Sequence, residues 1–179
     1  MEEIKLNESK QKENSAIIFM SKLLKICQEN NIKISVIGGY GLDGLLGRLT
    51  HKHNDLDLIV LEKDINKLNH LIQEKFDFIE LKFSNKRIHI LKSINIKVEI
   101  IVFELFSINE KYVFTMNEIF PNELYGNIQS LQFSTPSVEV HRKIGNMYID
   151  NFSSIGKELD FDKVQRRERI LCQVEKTNC

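Results

Sequence analysis

No surplus of either charge runs through this chain: 25 lysines and arginines balance 25 aspartates and glutamates over 179 residues. A protein that grips a long nucleic acid carries a basic excess, so that partner class is disfavoured. A small substrate, cationic ones included, is compatible with neutrality if an acidic cleft exists. Cysteine is scarce. Cys27, Cys172 and Cys179 are odd in number and far apart, which excludes a disulfide framework or a Cys-x-x-Cys zinc pair and fits a reduced, cytoplasmic setting. No apolar stretch follows Met1 and none is long enough to span a bilayer, so neither a signal peptide nor a membrane partner is expected. Repeats and low-complexity tracts are absent too. What remains, 42% hydrophobic and 28% charged residues, is ordinary for a globular protein with a real core.

Against that background two aspartates one residue apart, Asp55 and Asp57, open a β-branched, apolar run through Val60. Side chains alternate faces along a strand, so these two project the same way. Two carboxylates on one face repel, and burying them unpaired is costly, so a cation is expected between them. Magnesium takes oxygen ligands and is usually held by one or two carboxylates together with substrate phosphates. Asp-x-Asp at a strand start also occurs as a plain solvated turn, and the upstream sequence decides between the two.

Upstream, residues 34–37 read as an apolar strand, Gly38-Gly39 as a turn, and residues 40–46 as a short helix with Leu42, Leu45 and Leu46 on one face. Glycines at such a turn permit positive φ and close backbone approach by a ligand. The N–H groups that open the helix form an anion site. Arg48-Leu49-Thr50-His51-Lys52-His53 then supplies two permanent cations before Asp55. A phosphate cradle and a metal pair thus fall within one hairpin-sized unit.

The run from Gly38 to Asp57 closely resembles the signature of small antibiotic nucleotidyltransferases. These are the aminoglycoside 2″-nucleotidyltransferases and lincosamide nucleotidyltransferases of the polymerase-β-like superfamily. The shared pattern is Gly-Gly-x-x-x-Asp-x-x-x-Gly-(Arg/Lys)-x-Thr-(Arg)-x-His-x-Asp-(Ile/Leu)-Asp. His51 stands where relatives usually carry Arg, leaving Arg48 and Lys52 as the fixed charges. The resemblance implies an α/β (α+β) fold, with a mixed sheet and helices as catalytic core and a mainly helical C-terminal part. It also implies two Mg2+ ions at Asp55 and Asp57, with ATP or another NTP as co-substrate. Gly38, Gly39, Arg48, Thr50, Lys52 and His53 would bind the nucleotide.

Two-metal nucleotidyl transfer needs a further carboxylate near the attacking hydroxyl. Glu99 is the only acid within the apolar run 94–103, on a strand expected to pair beside residues 55–61. By alternation it shares a face with Lys97 and Ile101. The family normally has Asp there, and Glu is longer by one methylene. Glu104, at the strand's end, is the fallback. Asp43 either lines the phosphates or orders the turn.

Elsewhere, helical spacing predicts helices over 14–30, 64–75 (capped by Asp64), 137–150 and 160–174, and the apolar runs predict strands over 76–83, 87–91, 96–103, 112–116 and 128–133. Residues 84–85 read as a turn, 1–11 as a frayed lead-in, and Arg166-Arg167-Glu168-Arg169 as a solvated helix face. The expected division is a nucleotidyltransferase core over 1–105 and a C-terminal, substrate-side part over 106–179, with the cleft between. The expected activity is Mg-dependent transfer of AMP (NMP) from NTP to a hydroxyl of a small antibiotic, an aminoglycoside before a lincosamide, releasing pyrophosphate. Glu118, Glu123, Glu139 and Asp150 are candidates to receive a polycationic acceptor, and Tyr112, Tyr125 and Tyr148 to line its pocket. The alternatives are the same chemistry on tRNA or protein, as in toxin-type nucleotidyltransferases, and an inactive nucleotide-binding module. Oligomeric state is left open.

Overall fold

β-Branched and aliphatic residues crowd positions 34–37, 55–60 and 96–102, and each run forms a strand. The computed structural model describes residues 2–76, 78–83, 86–91, 96–106, 111–123, 125–154 and 158–177. The chain runs α1 (Glu2–Glu29), β1 (Ile34–Ile37), α2 (Gly38–Leu46), β2 (Asp55–Val60), α3 (Glu62–Lys75), β3 (Phe78–Phe83), β4 (Lys86–Leu91) and β5 (Ile96–Val102). After α4 (Phe103–Phe106) and α5 (Met116–Ile119) come β6 (Gly126–Ile128), β7 (Leu131–Phe133), α6 (Val138–Ser154) and α7 (Phe161–Thr177). No helix among the described residues is long and apolar enough to cross a membrane.

The main sheet has five strands in the order β1-β2-β5-β4-β3. β2 and β5 pair in parallel, the other neighbours antiparallel. Alternation divides the two faces. Val36, Leu56, Leu58, Val98 and Ile100 turn toward Met20 and Leu23 of α1 and Leu68 of α3 to build the larger core. On the other face Ile37, Ile59 and Ile101 pack beneath Ile119 of α5 and Ile144 and Met147 of α6. That second face is apolar only along part of its length, because β2 opens with Asp55 and Asp57. A third cluster joins Leu42 of α2 to Ile170, Leu171 and Val174 of α7. Cys27 is buried and its thiol is pushed up to about 12 by that burial and then by Asp64, which leaves it inert.

Several boundaries differ from the sequence-based expectation. α1 begins at Glu2 rather than near residue 14. The strand expected over 112–116 does not form; Met116–Ile119 is a helical turn instead. A capping box decides this: the Thr115 hydroxyl accepts from Glu118 N at 3.3 Å, and Glu118 Oε2 accepts from Thr115 N at 2.6 Å. The single strand expected over 128–133 is a hairpin, β6 to β7. Its turn residues Gln129 and Ser130 both have positive φ, 50° and 70°, as a primed two-residue turn requires. Phe133, fully buried, lies where a Cβ on Gly44 or Gly126 would collide with its ring. The turn expected at 84–85 lies outside the described residues.

Glu104, the fallback for the third carboxylate, is engaged at the start of α3. Its Oε2 accepts from Glu62 N at 2.8 Å, capping α3 from the end of the neighbouring strand, while Asp64 sits inside the first turn. Replacing Glu104 by Ala is expected to cost about 1 kcal/mol in urea unfolding, the usual cost of losing an N-terminal cap.

Candidate active site

The register of β2 on β5 sets Asp55 opposite Lys97 and Asp57 opposite Glu99. With the two-residue period, all four side chains lie on the face away from the larger core. Lys97 Nζ stands 3.5 Å from Asp55 Oδ2 and 3.4 Å from Glu99 Oε2. Asp57 is half-buried, and its carboxyl is pushed up to about 7, first by burial, then by the charges of Asp55 and Glu99; Lys97 and Lys163 only partly offset this. Burial works against the charged form of Lys97, yet Glu99, Asp55 and Asp57 together raise its affinity for the proton. The hollow therefore holds more negative charge than its own cations balance. Its three acids share a face but are not drawn within 4.8 Å of one another, as the ligand atoms of Asp43, His51 and His53 are.

The glycine pair serves this hollow directly. α2 starts at Gly38, not after the pair, with Ile37 as an N-cap that offers no side-chain hydrogen bond. Gly38 has φ +65°, and a Cβ there would collide with Asp57 Oδ2; a Cβ on Gly39 would collide with His53 Nδ1. The close approach that glycine permits is thus used by the site's own side chains.

Asp43 is fully buried. Its carboxylate accepts from Thr50 N at 2.9 Å, from the Thr50 hydroxyl at 2.7 Å and from His53 Nε2 at 2.7 Å. Of its two sequence readings, ordering the turn is the one observed. Through these bonds Thr50 and His53 pin the loop, on which Arg48, Thr50 and Lys52 are exposed. Because the Thr50 hydroxyl donates to Asp43, its 2.9 Å contact with His51 requires the proton on His51 Nδ1. His51 is held below its ordinary pKa by burial, then by His53 and Arg166, against Asp43. It is neutral at pH 7 and does not replace a permanent cation. Tyr40 is a buried aromatic packed on His53 at 4.5 Å between ring centroids.

The C-terminal helices contribute one residue named from the sequence, Tyr148, and one that sequence reasoning missed, Arg167. Tyr148 of α6 is 39% exposed, but its hydroxyl is held protonated well above the usual range by burial and then by the charges of Asp57 and Glu99. Arg167 of α7, expected on a solvated face, instead lies over Gly145 and donates through Nη2 to the carbonyls of His141 and Arg142. Gly145, expensive inside a helix, was the available signal for that close approach. His141 is buried and pushed down to about 3 by burial and Arg167. It contacts the Thr135 hydroxyl at 2.9 Å, and that hydroxyl donates to Val36 O at 2.7 Å, tying α6 to β1. Of the four acids expected to meet a cationic acceptor, two are engaged elsewhere. Glu118 caps α5 and pairs with Lys143 at 3.4 Å; Asp150 accepts from Tyr112 at 2.7 Å and pairs with Lys111. Glu123 and Glu139 are exposed.

The sequence model of a family described as aminoglycoside-2″-adenylyltransferase matches residues 19–162. 2″-Aminoglycoside nucleotidyltransferases of Escherichia coli and Klebsiella pneumoniae are each 29% identical over 73 residues, 37% of this chain and 41% of theirs. The alignment thus spans under half the length of these curated relatives. The solution structure of the antibiotic-resistance factor ANT(2″)-Ia superposes with a TM-score of 0.69 at 18% identity, covering 90% of this chain and 88% of that one. Its crystal structure in complex with adenylyl-2″-tobramycin gives 0.66 at 15%, covering 92% and 99%. The lincomycin-bound lincosamide antibiotic adenylyltransferase LnuA gives 0.57 at 15%, covering 86% and 92%. At these identities the likeness speaks to the fold, which is the mixed α+β nucleotidyltransferase fold expected from sequence. The family match covers most of the chain, including all of the glycine turn and the carboxylate strand: this protein belongs to the aminoglycoside-2″-adenylyltransferase family.

Proposed function

We propose that the protein transfers AMP, or another nucleoside monophosphate, from a nucleoside triphosphate to a hydroxyl of a small antibiotic, an aminoglycoside before a lincosamide, releasing pyrophosphate. The observation that carries this reading is the parallel pairing of β2 with β5, which gathers Asp55, Asp57 and Glu99 on one face beside the start of α2. The donor set fits magnesium: its atoms are hard carboxylate oxygens, and the charge on them exceeds what Lys97 balances. Bound there, two Mg2+ ions would neutralise the triphosphate and acidify the acceptor hydroxyl. In this reading Asp55 and Asp57 hold the metal, and Glu99 takes the proton of the attacking hydroxyl. The N–H groups opening α2, with Gly38 and Gly39, face the phosphates. Arg48 and Lys52 bring permanent charge on a loop that Thr50 and His53 fix to Asp43. The part from residue 106 onward supplies the acceptor side through α6 and α7, where Tyr148 keeps a hydroxyl hydrogen toward the acids. With a nucleoside triphosphate as co-substrate, the reaction belongs in the cytoplasm.

The test is pyrophosphate release with ATP, Mg2+ and a panel of aminoglycosides and lincosamides, with mass spectrometry of the drugs. An AMP adduct on an aminoglycoside is expected, absent with Asp57→Asn. Label appearing only on RNA or protein of a cell extract would shift the acceptor to a macromolecule. ATP binding with no pyrophosphate release under any acceptor would leave an inactive nucleotide-binding module.

A further inference from the structure

Lys97 has no part in the chemistry assigned above, yet it occupies the centre of the acidic face. Its ammonium is nearly equidistant from Asp55 Oδ2 and Glu99 Oε2, at 3.5 and 3.4 Å. It bridges two acids of different strands, as a bound inorganic cation would. It is anchored on β5 two residues before Glu99, while its side chain is 39% exposed and its flexible four-carbon stem can swing outward. An ion pair on an open surface contributes little. Here the ammonium shares a face with three carboxylates, and a divalent ion bound by them would sit beside it.

We propose that Lys97 is a built-in counter-cation that bridges Asp55 and Glu99 and competes with the divalent ion for them, thereby setting the metal concentration at which the site fills. The proposal rests on the reading of Asp55, Asp57 and Glu99 as metal-binding carboxylates. Loading the site then exchanges one cation for another, with the ammonium swinging out. The direction follows from charge: a like charge a few ångströms away disfavours an incoming cation, and its removal favours it.

The experiment titrates the full chain with Mn2+ in the absence of nucleotide, reading free Mn2+ by electron paramagnetic resonance. Lys97→Met is expected to bind at least ~10-fold more tightly than the unaltered chain, the effect of removing one nearby like charge. Lys97→Arg, which keeps the charge, is expected to stay within about twofold of it. Asp57→Asn should abolish tight binding in every background. Lys97→Met binding equally or more weakly, while Asp57→Asn still abolishes binding, overturns the role of Lys97 and leaves the carboxylate reading intact. No Mn2+ uptake by any variant overturns both. Should Lys97→Met fail to fold, the Lys97 side-chain methylene signal in the unaltered chain, labelled at lysine and titrated with Mg2+, gives a second measurement. A shift that saturates with metal is expected, and an unmoved signal sinks the proposal.

Discussion

Asp57→Asn is expected to lower kcat/KM by at least ~10³-fold and, at the same time, to make the protein harder to unfold. Loss of activity follows if Asp57 is a metal ligand whose charge stabilises the transferring phosphoryl group, since even one fixed donor at such a centre is worth ~10²–10³. The gain in stability has a separate cause. In the folded chain the Asp57 carboxyl titrates at about 7 instead of 3.8, so the native state keeps a proton that the unfolded chain has already released. Stability from this group is full below the lower value and falls as pH rises through the higher one. The Asn variant does not suffer this loss. In urea unfolding with EDTA present, the variant should gain about 2–4 kcal/mol over the unaltered chain at pH 8 and little below pH 5. A variant no more stable at pH 8 would show that the carboxyl is not held under charge repulsion. Function kept at a cost in stability is the general pattern for active sites.

Gly38→Ala carries the second large effect. At φ +65° an L-residue costs roughly 1–2 kcal/mol in backbone strain, and the added methyl would drive Asp57 Oδ2 from its position. A displacement of about 1 Å at a reacting centre can lower the rate ~100-fold, so activity should fall by that order while the fold survives. Gly47 provides the control. It too has positive φ, +76°, but nothing lies within 4 Å of a Cβ built there. Gly47→Ala should show the backbone cost alone, about 1 kcal/mol, with activity unchanged. If both alanine variants kept full activity, the contact between the glycine and the carboxylate would have no bearing on the chemistry.

The parts of this molecule that could be read from sequence are those in which a local rule and a chemical need coincide. Asp55 and Asp57 stand two apart at a strand start, Gly38 opens a helix, and Glu99 is the lone acid in an aliphatic run. Each of these announces its face or its backbone without reference to distant residues, and the family resemblance drawn from residues 38–57 agrees with the family match over residues 19–162. What sequence reasoning missed depends on partners far along the chain. Arg167 reads as solvated until Gly145 of another helix is brought beneath it. Glu104 reads as a possible base until the free N–H of Glu62 arrives from 42 residues away. Lys97 passed as an ordinary strand lysine because alternation gives a face and not a distance.

The division of the second sheet face has a consequence for how errors in this fold would show themselves. A slip of β5 by one residue along β2 would rotate Glu99 into the space now held by Val98 and Ile100, burying a carboxylate among aliphatic chains, and would turn those aliphatics toward the acids. Misthreaded chains would therefore be unstable as well as inert. Molecules that pass the threshold of folding carry their acids correctly aimed, so a soluble preparation should contain no substantial population that is native in shape but misaligned in its chemistry.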